Sequence, residues 1–271
     1  MSIAIQGIPG SFHHQVVLDY FGNASDVSYY KTFEQVVKAV FEGRDQYAVL
    51  AIENSIAGAI LPNYELIDRY GLSISGEYYL PISHNLMVLP GQKIEAIKEV
   101  RSHPMALLQC KKFFEAYPEV LLIDDIDTAT VAKRIATDGL KGVGAIASKT
   151  AAAIYQLEIL ASDIQTVKDN FTRFIILQRE KPGNADAVNK VSLKITISNE
   201  KGSLAKLLTC LSDYGLNLSK IQSVPVMEKP WDYAFFIDAQ CEEYVHFRRA
   251  LEKIKQEGAE VKVLGEYISR K

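Results

Sequence analysis

Tyr47-Ala48-Val49-Leu50-Ala51-Ile52-Glu53-Asn54-Ser55-Ile56-Ala57-Gly58 is the stretch on which the fold turns. Six apolar residues in a row, too few for a helix, read as a strand buried on both faces, and such strands belong to sheets covered by helices. At Glu53 the polarity changes abruptly, and ligands of open α/β sheets bind where strands end. By pattern alone two readings of Glu53, Asn54 and Ser55 stand side by side: contacts to a ligand, or caps for the element that follows.

Outward from this strand, short apolar runs alternate with amphipathic segments. Ser2–Gln6, Leu121–Ile123, Val143–Ala147 and Phe174–Leu177 read as further buried strands. Phe33, Val36, Val37, Val40 and Phe41 share one helical face, as do Leu107, Cys110, Phe113, Phe114 and Tyr117 after Pro104. Asp127 and Ser148 are placed to cap the helices that follow them. Strands alternating with helices predict an α/β architecture with a mostly parallel sheet. Leu72–Val88 reads as a long extended stretch with Pro81 in its middle, crossing as a hinge into a second lobe. The run of Pro, Gly, Asn and Asp between Lys181 and Asp186 predicts a domain boundary. Beyond it the pattern is strand (Val191–Ser198), helix (Ser203–Tyr214), two strands (Leu218–Val226 and Tyr233–Ala239, joined through Lys229-Pro230-Trp231-Asp232), a helix over Tyr244 to Ile254, and a last strand (Val261–Ile268). That order is βαββαβ, the ferredoxin-like plan.

At 271 residues the chain is long enough for two domains of ordinary size. Thirty basic against 33 acidic residues leave a net charge of -3, with no footprint for nucleic acid or an anionic membrane. The start lacks the pattern of a secretory signal, and no apolar run suits a membrane span. Three widely spaced cysteines, Cys110, Cys210 and Cys241, read as reduced thiols of a cytoplasmic protein. The histidines show no metal-ligand spacing, and His84 reads as a satisfied buried histidine.

Three further segments carry polar residues at element ends. Gly7-Ile8-Pro9-Gly10-Ser11-Phe12 is a glycine-bearing strand-to-helix turn, usually only a turn, whose spacing does not match a dinucleotide fingerprint. Ser102-His103-Pro104 precedes a helix with Gln109 two turns in, and the simplest reading of Ser102 is an N-cap. In Asn170-Phe171-Thr172-Arg173-Phe174 the guanidinium suits a carboxylate ligand, although such an arginine is commonly a surface ion pair.

In this order the segments resemble the prephenate dehydratase family, with its GSF turn (Gly10-Ser11-Phe12), IENS segment (Ile52 to Ser55 with Gly58), SHP-x-AL-x-QC segment (Ser102 to Cys110) and N-x-TRF segment (Asn170 to Phe174), followed by an ACT regulatory domain. Ala51 stands where the family often has proline, and His13 where a serine or threonine commonly follows. The resemblance implies a two-lobed, periplasmic-binding-protein-like catalytic domain over residues 1–180, with lobe one at about 1–79 and 158–180 and lobe two at about 80–157, and an ACT domain over 190–271. It implies decarboxylating dehydration of prephenate to phenylpyruvate in phenylalanine biosynthesis, without a cofactor or metal. Thr172 would assist departure of the hydroxyl, and Arg173 with the amides near Ser11 would hold a carboxylate. Asn54, Ser102 and Gln109 would complete the catalytic set, with Gly10, Ser11, Phe12, Glu53, Ser55 and Phe174 about the substrate. An amino-acid effector, phenylalanine, would meet Gly202, Ser203, Leu204, Gln222 and Ser223. At 222–225 the family's ESRP strand reads Gln-Ser-Val-Pro, so its acid and its arginine are missing. A homodimer or homotetramer is expected from side-by-side ACT pairing. Two alternatives stay open: an arogenate dehydratase, and a non-catalytic two-lobed binding module with an amino-acid-sensing tail.

Overall fold

The computed structural model describes residues 1–23, 26–180, 188–225 and 233–269; the expected loop at 181–186 and the connection through 229–232 lie outside them. The chain begins β1 (Ser2–Gln6), α1 (Phe12–Phe21), β2 (Asp26–Tyr30), α2 (Phe33–Phe41), β3 (Tyr47–Asn54), β4 (Gly58–Ala59), α3 (Leu61–Tyr70) and β5 (Ser73–Pro81). It continues β6 (Asn85–Val88), β7 (Glu99–Ser102), α4 (Pro104–Phe114), β8 (Leu121–Asp124), α5 (Thr128–Asp138), β9 (Val143–Ala147), α6 (Lys149–Tyr155), β10 (Glu158–Ala161) and β11 (Phe171–Gln178). Last come β12 (Lys190–Ile197), α7 (Ser203–Asp213), β13 (Asn217–Pro225), β14 (Tyr233–Gln240), α8 (Tyr244–Gln256) and β15 (Glu260–Tyr267). Two compact units result: Met1–Ile60 with Tyr78–Phe174, and Leu61–Glu77 with Ile175–Lys271.

In the first unit β1 lies parallel between β2 and β3, and β11 flanks β3. Ala48 to Ile52 of β3 are buried in a row, which is why the strand takes a position inside the sheet. A second sheet has the order β10-β6-β9-β7-β8. There β7 is parallel to β8 and β9, while β6 runs antiparallel to both β9 and β10. The expected mostly parallel sheet is therefore corrected to a mixed one. The expected return to the first lobe at 158 is also corrected, because β10 still pairs with β6 of the second sheet. Asp127 and Ser148 cap α5 and α6 as expected, each accepting an amide three residues on.

In the second unit β12 lies between β14 and β15, and β13 pairs with β14, all antiparallel. The order β13-β14-β12-β15 with α7 and α8 is the βαββαβ plan read from the sequence. Leu207, Leu211, Phe247, Leu251 and Ile254 from the two helices meet Val191, Leu193 and Ile195 of β12 in one core. α3 belongs to this unit: Tyr64 packs on Phe236, and Asp68 pairs with Lys194 and Lys262. Lys190 and Glu77, both 1% exposed, form a buried ion pair at 2.9 Å.

Candidate active site

A cavity of about 310 Å³ opens in the first unit, where the carboxyl ends of β1 and β3 meet the start of β11 and the N-terminal turn of α4. Its apolar wall is Phe12, Phe33, Ile82 and Phe174, and its polar wall includes Ser11, Asn54, His84, Gln109, Asn170 and Thr172. Among the residues lining it there is no lysine or arginine. Asp127 is the one carboxylate there, and it is engaged with the amide and hydroxyl of Thr130.

Four of the separated sequence segments thus converge, but not with every residue expected. Ser11, Phe12, Asn54, Gln109, Thr172 and Phe174 line the cavity. Arg173 is buried and absent from the wall, which removes it as a carboxylate clamp in this geometry. Successive side chains of a strand face opposite sides, so Asn170, Thr172 and Phe174 share the cavity face and Arg173 falls between them. Ser102 is fully buried, donates to the carbonyl of Ile146 at 2.7 Å and does not line the cavity. Nor is it the N-cap; His103 caps α4, its Nδ1 accepting from the amide of Met105.

Gly10 also lies off the wall. It adopts φ +87°, and a Cβ there would stand 2.8 Å from Cα of Ala151, so the position serves close approach to α6. Glu53 sits in the β3–β4 ladder opposite Ala59. Ser55 accepts from the amide of Phe171 at 3.0 Å, tying the turn after β3 to β11. Gly202, in the left-handed region, begins α7. Ser203 lines a separate hollow of about 130 Å³ beside Glu200 and Lys206, whereas Leu204, Gln222 and Ser223 do not.

The polar wall is one hydrogen-bonded chain. Asn54 Oδ1 accepts from the amides of Ile56 (3.0 Å) and Ala57 (2.9 Å), which fixes which end of the side-chain amide is nitrogen. Its Nδ2 then donates to Asn170 Oδ1 (2.8 Å) and Thr172 Oγ1 (2.9 Å). Gln109 Oε1 lies 3.1 Å from Asn170 Nδ2 and 2.9 Å from His84 Nε2. Asn170, His84 and His103 line the cavity without being among the expected site residues. Period-two spacing from Thr172 marks Asn170 in the sequence; nothing local marks His84.

Of the three histidines that line the cavity, His103 accepts the Met105 amide on Nδ1, and burial holds His13 and His84 toward the neutral form. Burial lowers His13 to about 4, and its Nε2 accepts from the amide of Ala51. Burial also lowers His84, opposed by its hydrogen bond with Gln109. Along Asn54, Asn170, Thr172 and Gln109 the wall thus offers an anion hydrogen-bond donors instead of charges. The amides of Phe12 and His13 in the first turn of α1 add to them, since first-turn amides lack intrahelical partners. Asn170, Thr172 and Gln109 give the arrangement a means of orienting a carboxylated ring and donating to one departing oxygen.

The sequence model of the prephenate dehydratase family matches residues 3–182. "Arogenate dehydratase/prephenate dehydratase 1, chloroplastic" of Arabidopsis thaliana is 37% identical over 281 residues, spanning 98% of this chain and 71% of that protein. Among solved structures, a prephenate dehydratase from Arthrobacter aurescens in complex with L-Phe aligns with a TM-score of 0.86 at 25% identity, over 98% of this chain and 90% of the other. A protein described as GqqA, a novel type of quorum quenching acylase, aligns with a TM-score of 0.89 at 27% identity, over 99% and 98%.

Proposed function

We infer, from the premise that this chain belongs to the prephenate dehydratase family, that it is an enzyme acting on prephenate in this cavity. Prephenate loses its ring carboxylate as carbon dioxide; the released electron pair moves through the ring, and hydroxide leaves from the opposite carbon to give phenylpyruvate. Aromatisation drives the reaction, so the enzyme's work is to orient, to exclude water and to ease departure of the hydroxide.

The observation that carries the reading is the contact of Asn54 Nδ2 with Thr172 Oγ1. A hydroxyl has one hydrogen and two acceptor sites. Thr172 accepts from Asn54, which makes its own hydrogen a better donor, and no hydrogen bond among the described residues takes that hydrogen. Donation to the leaving oxygen is general-acid assistance. Donors at Gln109 and in the first turn of α1 hold carboxylates, while Phe12, Phe33 and Phe174 flank the ring and keep the departing carboxylate dry. Arg173 has no part in this contact set.

Residues 1–180 form the catalytic domain in this reading, and residues 190–271 an ACT domain. The antiparallel βαββαβ unit supports the second assignment, and the bound L-Phe of the Arthrobacter protein supports an amino-acid effector. Gln222 and Val224 replace the charged pair of the family strand, so phenylalanine binds through Gly202, Ser203 and Leu204 with altered strength. Side-by-side pairing through the edge strand β13 gives a homodimer or a homotetramer.

The plant relative's double name favours a second substrate, arogenate, for the same elimination. Amide hydrolysis, the reading the acylase suggests, would need a base beside the hydroxyl, and Thr172 hydrogen-bonds no histidine. Parallel assays with prephenate, arogenate and an N-acylated amine test these readings. Release of carbon dioxide and phenylpyruvate from prephenate is expected; turnover of the acylated amine alone overturns the assignment.

A further inference from the structure

The hydrogen-bond chain of the cavity has a direction, and the direction can be worked out atom by atom. The amides of Ile56 and Ala57 can only donate, so Asn54 must present its oxygen to them and its NH₂ to Asn170 and Thr172. Asn170 therefore presents Oδ1 to Asn54 and its NH₂ to Gln109. Gln109 in turn receives on Oε1, so the hydrogen it shares with His84 lies on His84 Nε2. His84 Nδ1 is then the bare nitrogen of the neutral ring, in keeping with its burial without a partner. Two donors are left over. One is the hydroxyl hydrogen of Thr172; the other is the NH₂ of Gln109, a cavity-lining residue whose nitrogen has no partner in the fold and is not buried.

We propose that Asn170 is a positioning residue that carries the polarity set by the Ile56 and Ala57 amides across to Gln109 and His84, so that this stretch of the wall turns hydrogens toward the substrate dianion. Asn170 is fully buried and joins the turn after β3 to α4. Its main-chain carbonyl is held by the amide of Ile82 at 2.7 Å, so the backbone that bears it is fixed. Were its amide reversed, its NH₂ would face the NH₂ of Asn54, and the oxygen of Gln109 would turn toward the substrate carboxylates. The proposal rests on the dehydratase reading of this cavity.

The test is the tautomer of His84, read from its imidazole ¹⁵N shifts in the full-length protein at mildly alkaline pH, together with steady-state kinetics on prephenate. In the unsubstituted protein the hydrogen of His84 is expected on Nε2; a hydrogen on Nδ1 overturns the proposal without any variant being made. Asn170→Asp can accept from Asn54 but cannot donate, so Gln109 reverses and the His84 hydrogen moves to Nδ1. kcat/KM should fall at least about tenfold with it. Gln109→Glu still accepts from both neighbours, so the hydrogen stays on Nε2, while KM for the dianion rises about tenfold or more from the lost donors. An Asn170→Asp protein with the hydrogen still on Nε2 and unchanged kinetics contradicts the proposal. The Nε2 tautomer in a protein that does not turn over prephenate leaves the relay standing and removes the dehydratase reading; brisk turnover with the Nδ1 tautomer does the reverse.

Discussion

His13 shows how one residue of the cavity couples chemistry to stability. It lines the wall, packs edge-on against Phe174 at 5.0 Å and is held neutral by burial, with its folded pKa lowered from 6.5 to about 4. An unfolded chain therefore binds a proton that the folded chain refuses. The stability linked to His13 is complete above pH 6.5 and is lost as pH falls toward 4, by roughly 3 kcal/mol over that window. Urea unfolding measured across this range should show that slope, and His13→Gln should lose most of it. A slope unchanged in the variant would mean that other groups carry the acid sensitivity. Because burial lowers His13 and His84 below their ordinary value, neither should give kcat/KM a step near 6.5.

At the level of strands and helices, much was readable. The apolar run of β3, the capping residues Asp127 and Ser148, Pro104 in the first turn of α4 and the final βαββαβ order all announce themselves locally. What was misread depends on pairing partners that local sequence does not carry. Ser102 precedes a helix as an N-cap would, yet a carbonyl of β9 takes its hydroxyl. Arg173 has the right chemistry for a carboxylate and the wrong parity on its strand, whereas Asn170 has the parity. Gly265 shows a pairing of the same kind on the last strand, one for which the sequence reading holds no expectation. Beside a register shift in the β12–β15 ladder, it lies against Ile74 of β5, where an added Cβ would come within 2.5 Å of the isoleucine Cβ and carbonyl oxygen. Gly265→Ala should therefore cost about 1–3 kcal/mol in chemical denaturation, through overpacking at that contact. A loss of a few tenths would mean that the strands separate easily.

Across the whole molecule, the chain passes between its two units at residues 60–61, 77–78 and 174–175, and the last two passages run within β5 and β11. The second unit is accordingly assembled from distant parts of the sequence, and the ion pair of Lys190 with Glu77 joins two of them. Removing one partner strands a buried charge: Lys190→Met should lower unfolding free energy by about 3–5 kcal/mol, and adding Glu77→Leu should recover most of the loss. A single substitution without effect would show that the carboxylate finds another partner. The first unit gathers its cavity in the same way, from strand ends as far apart in sequence as Asn54 and Thr172. The central claim is that the hydroxyl of Thr172, polarised by Asn54, helps hydroxide leave. Prephenate turnover by Thr172→Val and Thr172→Ser measures this most directly. The account predicts that valine lowers kcat by about 10²–10⁴-fold with KM little changed, while serine keeps most of the rate; a valine variant turning over at the original rate would contradict it.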